Sequence, residues 1–293
     1  MADFVQQILN GFALGLAYAL VAVGYSLVFG ILRLINFSHG SVYAFGAHAA
    51  FFMVGLHFGP VPAIIAAMLI TGVLGVVIDR TALAPLRKKK SVSIAALVTT
   101  LGISSIIQNM LVVIFGSQRK PFPDFFNFGT LELGGVRLGS RQLVMVTVSL
   151  ALLLLLLMVV NKTKVGLAMR ATAQNQKAAA LMGINVNNII TLTFLMGGAS
   201  AAIAGGMVGG YYQIVYPSMG FMIGLKAFAA SVLGGIGSLP GALVGGLLVG
   251  VIESLAALFF GSNYRDATAF IILIAVLIFR PAGLFGKKEV VKV

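Results

Sequence analysis

Apolar residues in this chain fall in long runs that polar residues interrupt only briefly. Runs can be marked off near Ile8–Leu32, Gly40–His57, Val61–Ile78, Ser91–Phe115, Gln142–Val160, Ile189–Tyr212, a shorter Phe221–Leu233, Gly241–Phe260 and Thr268–Phe279. Most approach the roughly 20 residues that a helix needs to cross a hydrocarbon core. In lipid every backbone amide and carbonyl must find its partner within the protein, and runs of this length do so as α-helices. The pattern predicts an all-α, polytopic membrane bundle of about 8–9 transmembrane helices, a single transmembrane domain spanning residues 1–293. The first run has no Lys or Arg before it and is too long for a signal-peptide core, so a retained span is expected there.

Two stretches break the apolar rhythm. Residues 116–141 carry Pro121, Pro123, Gly129, Gly134, Gly135 and Gly139 among short aromatic and β-prone runs, which predicts a small hairpin or irregular cap. It is too short for a core of its own. Residues 161–188, NKTKVGLAMRATAQNQKAAALMGINVNN, are polar and basic. Ala168, Ala171, Ala178, Ala179 and Ala180 favour a helix, and Gly183 stands where one would stop. Leu167, Ala171, Ala178, Leu181 and Met182 share one face of that helix, giving it weak amphipathic character. Such an element either docks onto something outside the bilayer or rests on anionic lipid.

Composition agrees with the membrane reading and narrows the chemistry. Of the 293 residues 59% are hydrophobic and 9% charged, and the mean hydropathy is +1.05; globular domains carry about 25% charged residues. The absence of cysteine excludes disulfides, thiol chemistry and Cys-based metal sites, and His39, His48 and His57 are too scattered to suggest a metal centre. A net charge of +13 would suit nucleic acid, but the basic residues cluster at the ends of apolar runs. Arg33, Arg80, Arg87 to Lys90, Lys162, Lys164, Arg170, Lys177, Arg280, Lys287, Lys288 and Lys292 fall on one side, against Arg119, Lys120, Arg137, Arg141 and Arg265 on the other. The imbalance predicts a cytoplasmic 161–188 segment and C-terminus, an external 116–141 loop and an external N-terminus, provided that Phe221–Leu233 crosses.

Several smaller patterns are candidates for function. Asn36-Phe37-Ser38-His39-Gly40 interrupts two spans with turn-forming residues. It suits a tight helix–helix turn, with Asn36 and His39 as candidate gate residues. Thr100, Ser104 and Gln108 repeat every four residues, a polar stripe suited to interhelical hydrogen bonds or to an aqueous path. Glu253 is the carboxylate and Lys226 the ammonium placed deep in apolar runs, where charges need partners or line a cavity. A structural Lys226–Glu253 pair is expected, with a pore-lining or proton-coupled role as the alternative. Gly205/Gly209, Gly206/Gly210, Gly241/Gly245 and Gly246/Gly250 are small-xxx-small pairs for close packing or a subunit interface. Gly234-Gly235-Ile236-Gly237 lacks the strand and βαβ context of a nucleotide site, and no Walker A sequence occurs. Any ATP must therefore be bound elsewhere. A faint likeness joins Gly40–Phe51 to Gly220–Ala230, as in transporters built from repeated halves.

Gly166, Arg170, Ala171, Ala180, Gly183, Ile184 and Asn185 form a pattern that resembles the cytoplasmic coupling loop of ATP-binding-cassette importer permeases. Gly30 to Gly40, containing Ile35-Asn36-Phe37-Ser38-His39-Gly40, resembles a signature of the branched-chain amino acid importer permeases. So do Asp79-Arg80 with Pro85-Leu86-Arg87, which resembles a turn of that family, the run Gly220 to Ala242, and the tail Pro281 to Gly286. Two departures stand out: Asp79 where Glu is usual, and Gln174 where an acidic residue is common.

The resemblance implies the smaller permease subunit of an ATP-driven importer for branched-chain amino acids, in a bacterial plasma (inner) membrane, and not an enzyme. It implies no cofactor in this chain, with ATP held by two cytoplasmic ATPase subunits. A second permease, an extracytoplasmic substrate-binding protein and the surrounding lipid complete the partners. Gly166, Arg170, Ala171, Ala180 and Gly183 are the implied ATPase-coupling positions. Asn36, His39, Thr100, Ser104, Gln108, Lys226 and Glu253 remain the candidate gate or pore positions. The alternatives are an importer for urea or short amides and a proton-coupled secondary transporter.

Overall fold

A computed structural model describes residues 2–89, 92–124, 126, 128–280 and 282–286. Lys90, Ser91, Pro281 and residues 287–293, to which parts of the basic-residue argument and of the tail pattern refer, lie outside the described residues. The helices are α1 (Ala2–Leu32), α2 (Ser38–Gly55), α3 (Pro60–Ile78), α4 (Ala84–Lys88), α5 (Ser93–Phe115), α6 (Ser140–Lys162), α7 (Lys164–Gln174), α8 (Gln176–Leu181), α9 (Val186–Tyr212), α10 (Met219–Gly234), α11 (Leu239–Phe260) and α12 (Arg265–Phe279). The strands are β1 (Lys120–Pro121), β2 (Thr130–Leu133), β3 (Val136–Gly139) and β4 (Ile214–Val215).

Helix α1 is the axis of the bundle. It is apolar on every side, and residues from Gly11 to Val28 are buried almost without interruption by α6, α9, α10 and α11, as an all-round hydrophobic helix requires. The close approach is made by glycine. Gly11 and Gly15 of α1 meet Gly246 and Gly250 of α11 backbone to backbone, Gly205 of α9 meets Tyr43 and Ala47 of α2, and Gly245 meets Ala230 of α10. These glycines pack helices within the chain, where a side chain would force the backbones apart.

Among the described residues seven helices are long and apolar enough to cross a membrane: α1, α3 with its continuation to Lys88, α5, α6, α9, α11, and α12 with the turn before it. The two remaining predicted spans are α2, which carries His39, His48 and Tyr43, and α10, which has 16 residues. Each nevertheless belongs to a longer segment, 33–55 for α2 and 213–234 for α10, that joins opposite ends of the bundle. One end carries β2 and β3, a hairpin closed by Gly134 and Gly135 with φ of 58° and 83°, the primed two-residue turn that matches strand twist. Gln6 of α1 is bonded to the backbone of Arg137 there, and β4 pairs with β1 there. At the opposite end Leu284 and Phe285 donate their amides to the carbonyls of Leu233 and Gly234, at 2.8 and 2.9 Å. The segment from β4 through α10 therefore runs from the hairpin end to the end that holds the tail, with α10 itself starting inside the bundle beside Gly40. The first residues and the described part of the tail thus lie at opposite ends of the bundle.

Two local expectations are corrected. The sequence pattern predicts a turn at Asp79–Arg87, but the helix continues through a π-turn at Asp79–Leu83 into α4. Pro85 would clash with the carbonyl four residues before it in a regular helix, and the wider turn relieves this. The pattern also predicts a tight connection at Asn36–Gly40 at the helix end. Instead residues 33–37 are non-helical and climb back along α1, so that His39 sits against Gly24. Eight residues before Leu32 corresponds to about 12 Å along the helix, so α2 begins well inside the bundle.

Candidate functional site

Three groups of residues stand out, and the sequence-predicted positions divide among them. The first is the element at the tail end. Thr163 caps α7 by accepting from the Gly166 amide at 3.1 Å. Gly166 lies on the carbonyls of Val159 and Val160, where no side chain fits. Asn175 then breaks the helix: its extended backbone ends α7 while its Oδ1 accepts from the amides of Lys177 and Ala178, both at 3.0 Å, and starts α8. One amphipathic helix is thus replaced by two short ones, because an Asn side chain satisfies amides that a continuous helix would have bonded. Gly183, at φ 84°, closes α8, and Asn185 caps α9 with 3.2 Å to Asn188.

The predicted coupling positions play different parts in this element. Gly166 is interior, Arg170 reaches back to the carbonyl of Asn161 at 3.1 Å, and Ala171 is half-buried; Ala180 and Gly183 are exposed. Sequence reasoning did not place Leu181 and Met182 among the coupling residues, although both lie on the amphipathic face. They are 89% and 83% exposed, well above Leu167 at 60% on the same element, and form an apolar tip. Behind the tip the element is anchored: Gln176 donates to the Ile31 carbonyl of α1 at 2.9 Å. The buried Asp79 accepts from Arg87 at 2.6 Å and from Thr191 at the start of α9 at 2.8 Å.

The second group is the start of α2. Asn36 Oδ1 accepts from Ser38 Oγ at 2.6 Å and from its amide at 3.1 Å. Thr100 Oγ1 accepts from the Phe37 amide at 3.2 Å, and Ser104 and Ser41 share a hydrogen bond of 2.7 Å. Thr100 and Ser104 thereby bind α5 to the first turn of α2, and Gln108 is half-buried on the same helix. His39 is buried edge-on to Tyr25, with ring centroids 4.8 Å apart. Gly40 meets Gly220 and Gly224 of α10 at backbone contact. The two glycine-aromatic stretches that resemble one another in sequence are thus placed together, beneath a cluster of Tyr25, Phe37 and Phe228.

The third group is ionic. Lys226 Nζ lies 2.8 Å from Glu253 Oε1 and 2.6 Å from Asp266 Oδ1. Tyr18 donates to the same Glu253 oxygen at 3.3 Å, and Arg265 Nε is 3.7 Å from it. The cluster ties α1, α10, α11 and α12 together with two cations and two anions. Asp266 escaped the sequence reading because it opens α12 and seemed to belong to a loop; its side chain is 53% exposed. Among the described residues no three His, Cys, Asp or Glu side chains converge as a metal ion would need.

A family model described as the permease component of the branched-chain amino acid transport system matches residues 7–277. The high-affinity branched-chain amino acid transport system permease protein BraD of Pseudomonas aeruginosa is 41% identical, the match covering 99% of this chain and 98% of BraD. LivH of Escherichia coli, with the same description, is 39% identical over the same shares. The probable branched-chain amino acid transport permease LivH of Methanocaldococcus jannaschii is 31% identical over 91% and 88% of the two chains. With the family pattern running through the helical bundle from α1 into α12, this chain belongs to the permease component family of the branched-chain amino acid transport system.

Proposed function

We propose that this chain is the membrane-embedded permease subunit of an importer that takes branched-chain amino acids into a bacterial cell across the inner membrane. As a permease component of the ATP-binding-cassette class it is a multi-pass membrane protein that works with ATPase and permease partners, and it is not an enzyme. Residues 1–293 act as one transmembrane domain, with 116–141 facing an extracytoplasmic substrate-binding protein and 161–188 facing two cytoplasmic ATPases. Lipid and a second permease cover the apolar outer faces of α5, α6 and α12. ATP is held by the partner ATPases, and this chain needs no cofactor.

The observation that carries the ATP-coupled reading is the tip of α8. Two large apolar side chains stand in solvent on an element whose base is tied to α1, α6 and α9. A surface that exposes Leu181 and Met182 is stabilised by a partner that buries them. The rigid base then passes any displacement of the tip into three spans. The test is Leu181→Asp with Met182→Asp in the reconstituted importer. Leucine-stimulated ATP hydrolysis and ATPase co-purification should both be lost while the permease still inserts. Survival of both activities would defeat the docking assignment. The proton-coupled alternative needs a carboxylate free to change charge, whereas Glu253 is held by Lys226 and Tyr18.

A further inference from the structure

At the hairpin end a cavity of about 550 Å³ opens among the first turns of α1 and α6, the last turn of α9 and the base of the hairpin. This is within the range of small-molecule sites, roughly 300–1,000 Å³. Gln6, Asn10, Arg141, Gln142, Tyr211 and Tyr212 supply most of its side-chain chemistry. The wall is braced rather than loose. Gln6 donates to Asn10 at 3.1 Å and exchanges two hydrogen bonds with the Arg137 backbone, at 2.9 and 2.8 Å.

Arg141 is the one cation in the lining. Asp124 grips it through two parallel bonds, Nε to Oδ1 at 3.0 Å and Nη2 to Oδ2 at 2.8 Å. That grip uses two of the five guanidinium donors and leaves the Nη1 edge open, while the Asp124 oxygens keep lone pairs for another donor. Asp124 is not itself among the lining residues; bound directly to one of them, it sets a negative edge beside the positive edge that Arg141 turns to the cavity. The Tyr211 and Tyr212 rings supply apolar surface in the same cavity. A partly exposed pair of this kind contributes little to stability by itself, so sharing it with a ligand costs the fold little.

We propose that this cavity receives a zwitterionic α-amino acid, its carboxylate on Arg141, its aliphatic side chain against the two tyrosines, and its ammonium reaching past Arg141 to the Asp124 that holds it. The site rests on the amino-acid-importer reading and supplies that reading with an entry point, separate from the buried Lys226 cluster. A ligand with one charge leaves one edge of the pair unmatched.

The test uses Gly139→Cys in the complete importer reconstituted in vesicles. Gly139 lines the cavity, an added Cβ meets nothing within 4 Å, and the chain has no other cysteine. The rate of labelling by a membrane-impermeant maleimide is followed as leucine is added without the binding protein. Leucine should slow labelling several-fold, whereas isovalerate and isoamylamine, each lacking one charge, should leave it nearly unchanged. Arg141→Gln should abolish protection, and Arg141→Lys, which keeps the charge and loses the fork, should weaken it about tenfold. Equal protection by the singly charged analogues, or protection that survives Arg141→Gln, would overturn the site. Leucine import without leucine protection would remove the site alone. Protection by leucine in a complex that imports no amino acid would remove the importer reading and keep the site.

Discussion

The ionic cluster predicts an asymmetry that a simple two-residue pair would not. Lys226 has two carboxylate partners, Glu253 at 2.8 Å and Asp266 at 2.6 Å, but Glu253 has one close cation, with Arg265 at 3.7 Å. In Glu253→Gln, Lys226 keeps Asp266 and can still donate to the new amide oxygen. The loss reduces to one charge-assisted hydrogen bond, about 1–2 kcal/mol. In Lys226→Met, Glu253 stays 1% exposed with only the Tyr18 hydroxyl and a distant guanidinium. Removing one partner of a buried pair typically costs about 3–5 kcal/mol. Lys226→Met should thus be the worse change by about 2 kcal/mol, and the double change should be milder than Lys226→Met alone. Reversible unfolding of the three variants in lipid nanodiscs, followed by circular dichroism against denaturant, reads these differences. Equal costs for the two single changes, or a double change equal to their sum, would refute the shared-lysine account.

Asp79→Asn should loosen α4 and the start of α9 together by about 1–3 kcal/mol, because one buried carboxylate serves both Arg87 and Thr191; adding Thr191→Val should then cost less than it does alone, read by thermal unfolding. Thr130→Cys and Leu181→Cys, introduced singly into intact cells, place one thiol at each end of the bundle; an impermeant thiol reagent should label the first and spare the second, and the reverse pattern would invert the assigned orientation. Gly220→Val should abolish folded yield, since its added atoms meet the backbone of Gly40, whereas Gly102→Val, with open space around it, should be tolerated.

Much of the bundle was legible because burial in lipid leaves a one-dimensional trace. The nine predicted runs correspond to helices whose ends move by three residues or fewer, apart from α1, which starts six residues earlier, and α3, which continues to Lys88, and the Lys226–Glu253 pair followed from the cost of isolated charges. What stayed hidden depends on contacts between distant residues. Arg87 is a local partner of Asp79, but nothing local announces the second, Thr191, which lies far along the chain. Asn175 reads as one more polar residue in a helical stretch until its side chain is seen to cap α8. The inward start of α2 comes from Gly24 admitting the His39 ring, a fit between two helices that neither sequence segment announces. The cavity at the hairpin end draws its lining from four separate stretches, so no motif could have outlined it.

The short tail bears on the order in which the molecule is completed. Leu284 and Phe285 supply the amides for the carbonyls at the end of α10, and Gly283 lies on Gly235, both at positive φ. These donors emerge from the ribosome after α11 and α12, while chains fold from the N-terminus as they are made. Until they arrive the Leu233 and Gly234 carbonyls lack these partners, and that end of the bundle stays open. The tail is therefore a molecular latch, and a nascent chain cut just before it would present to cellular quality control every span from α1 to α12 with an unsealed floor.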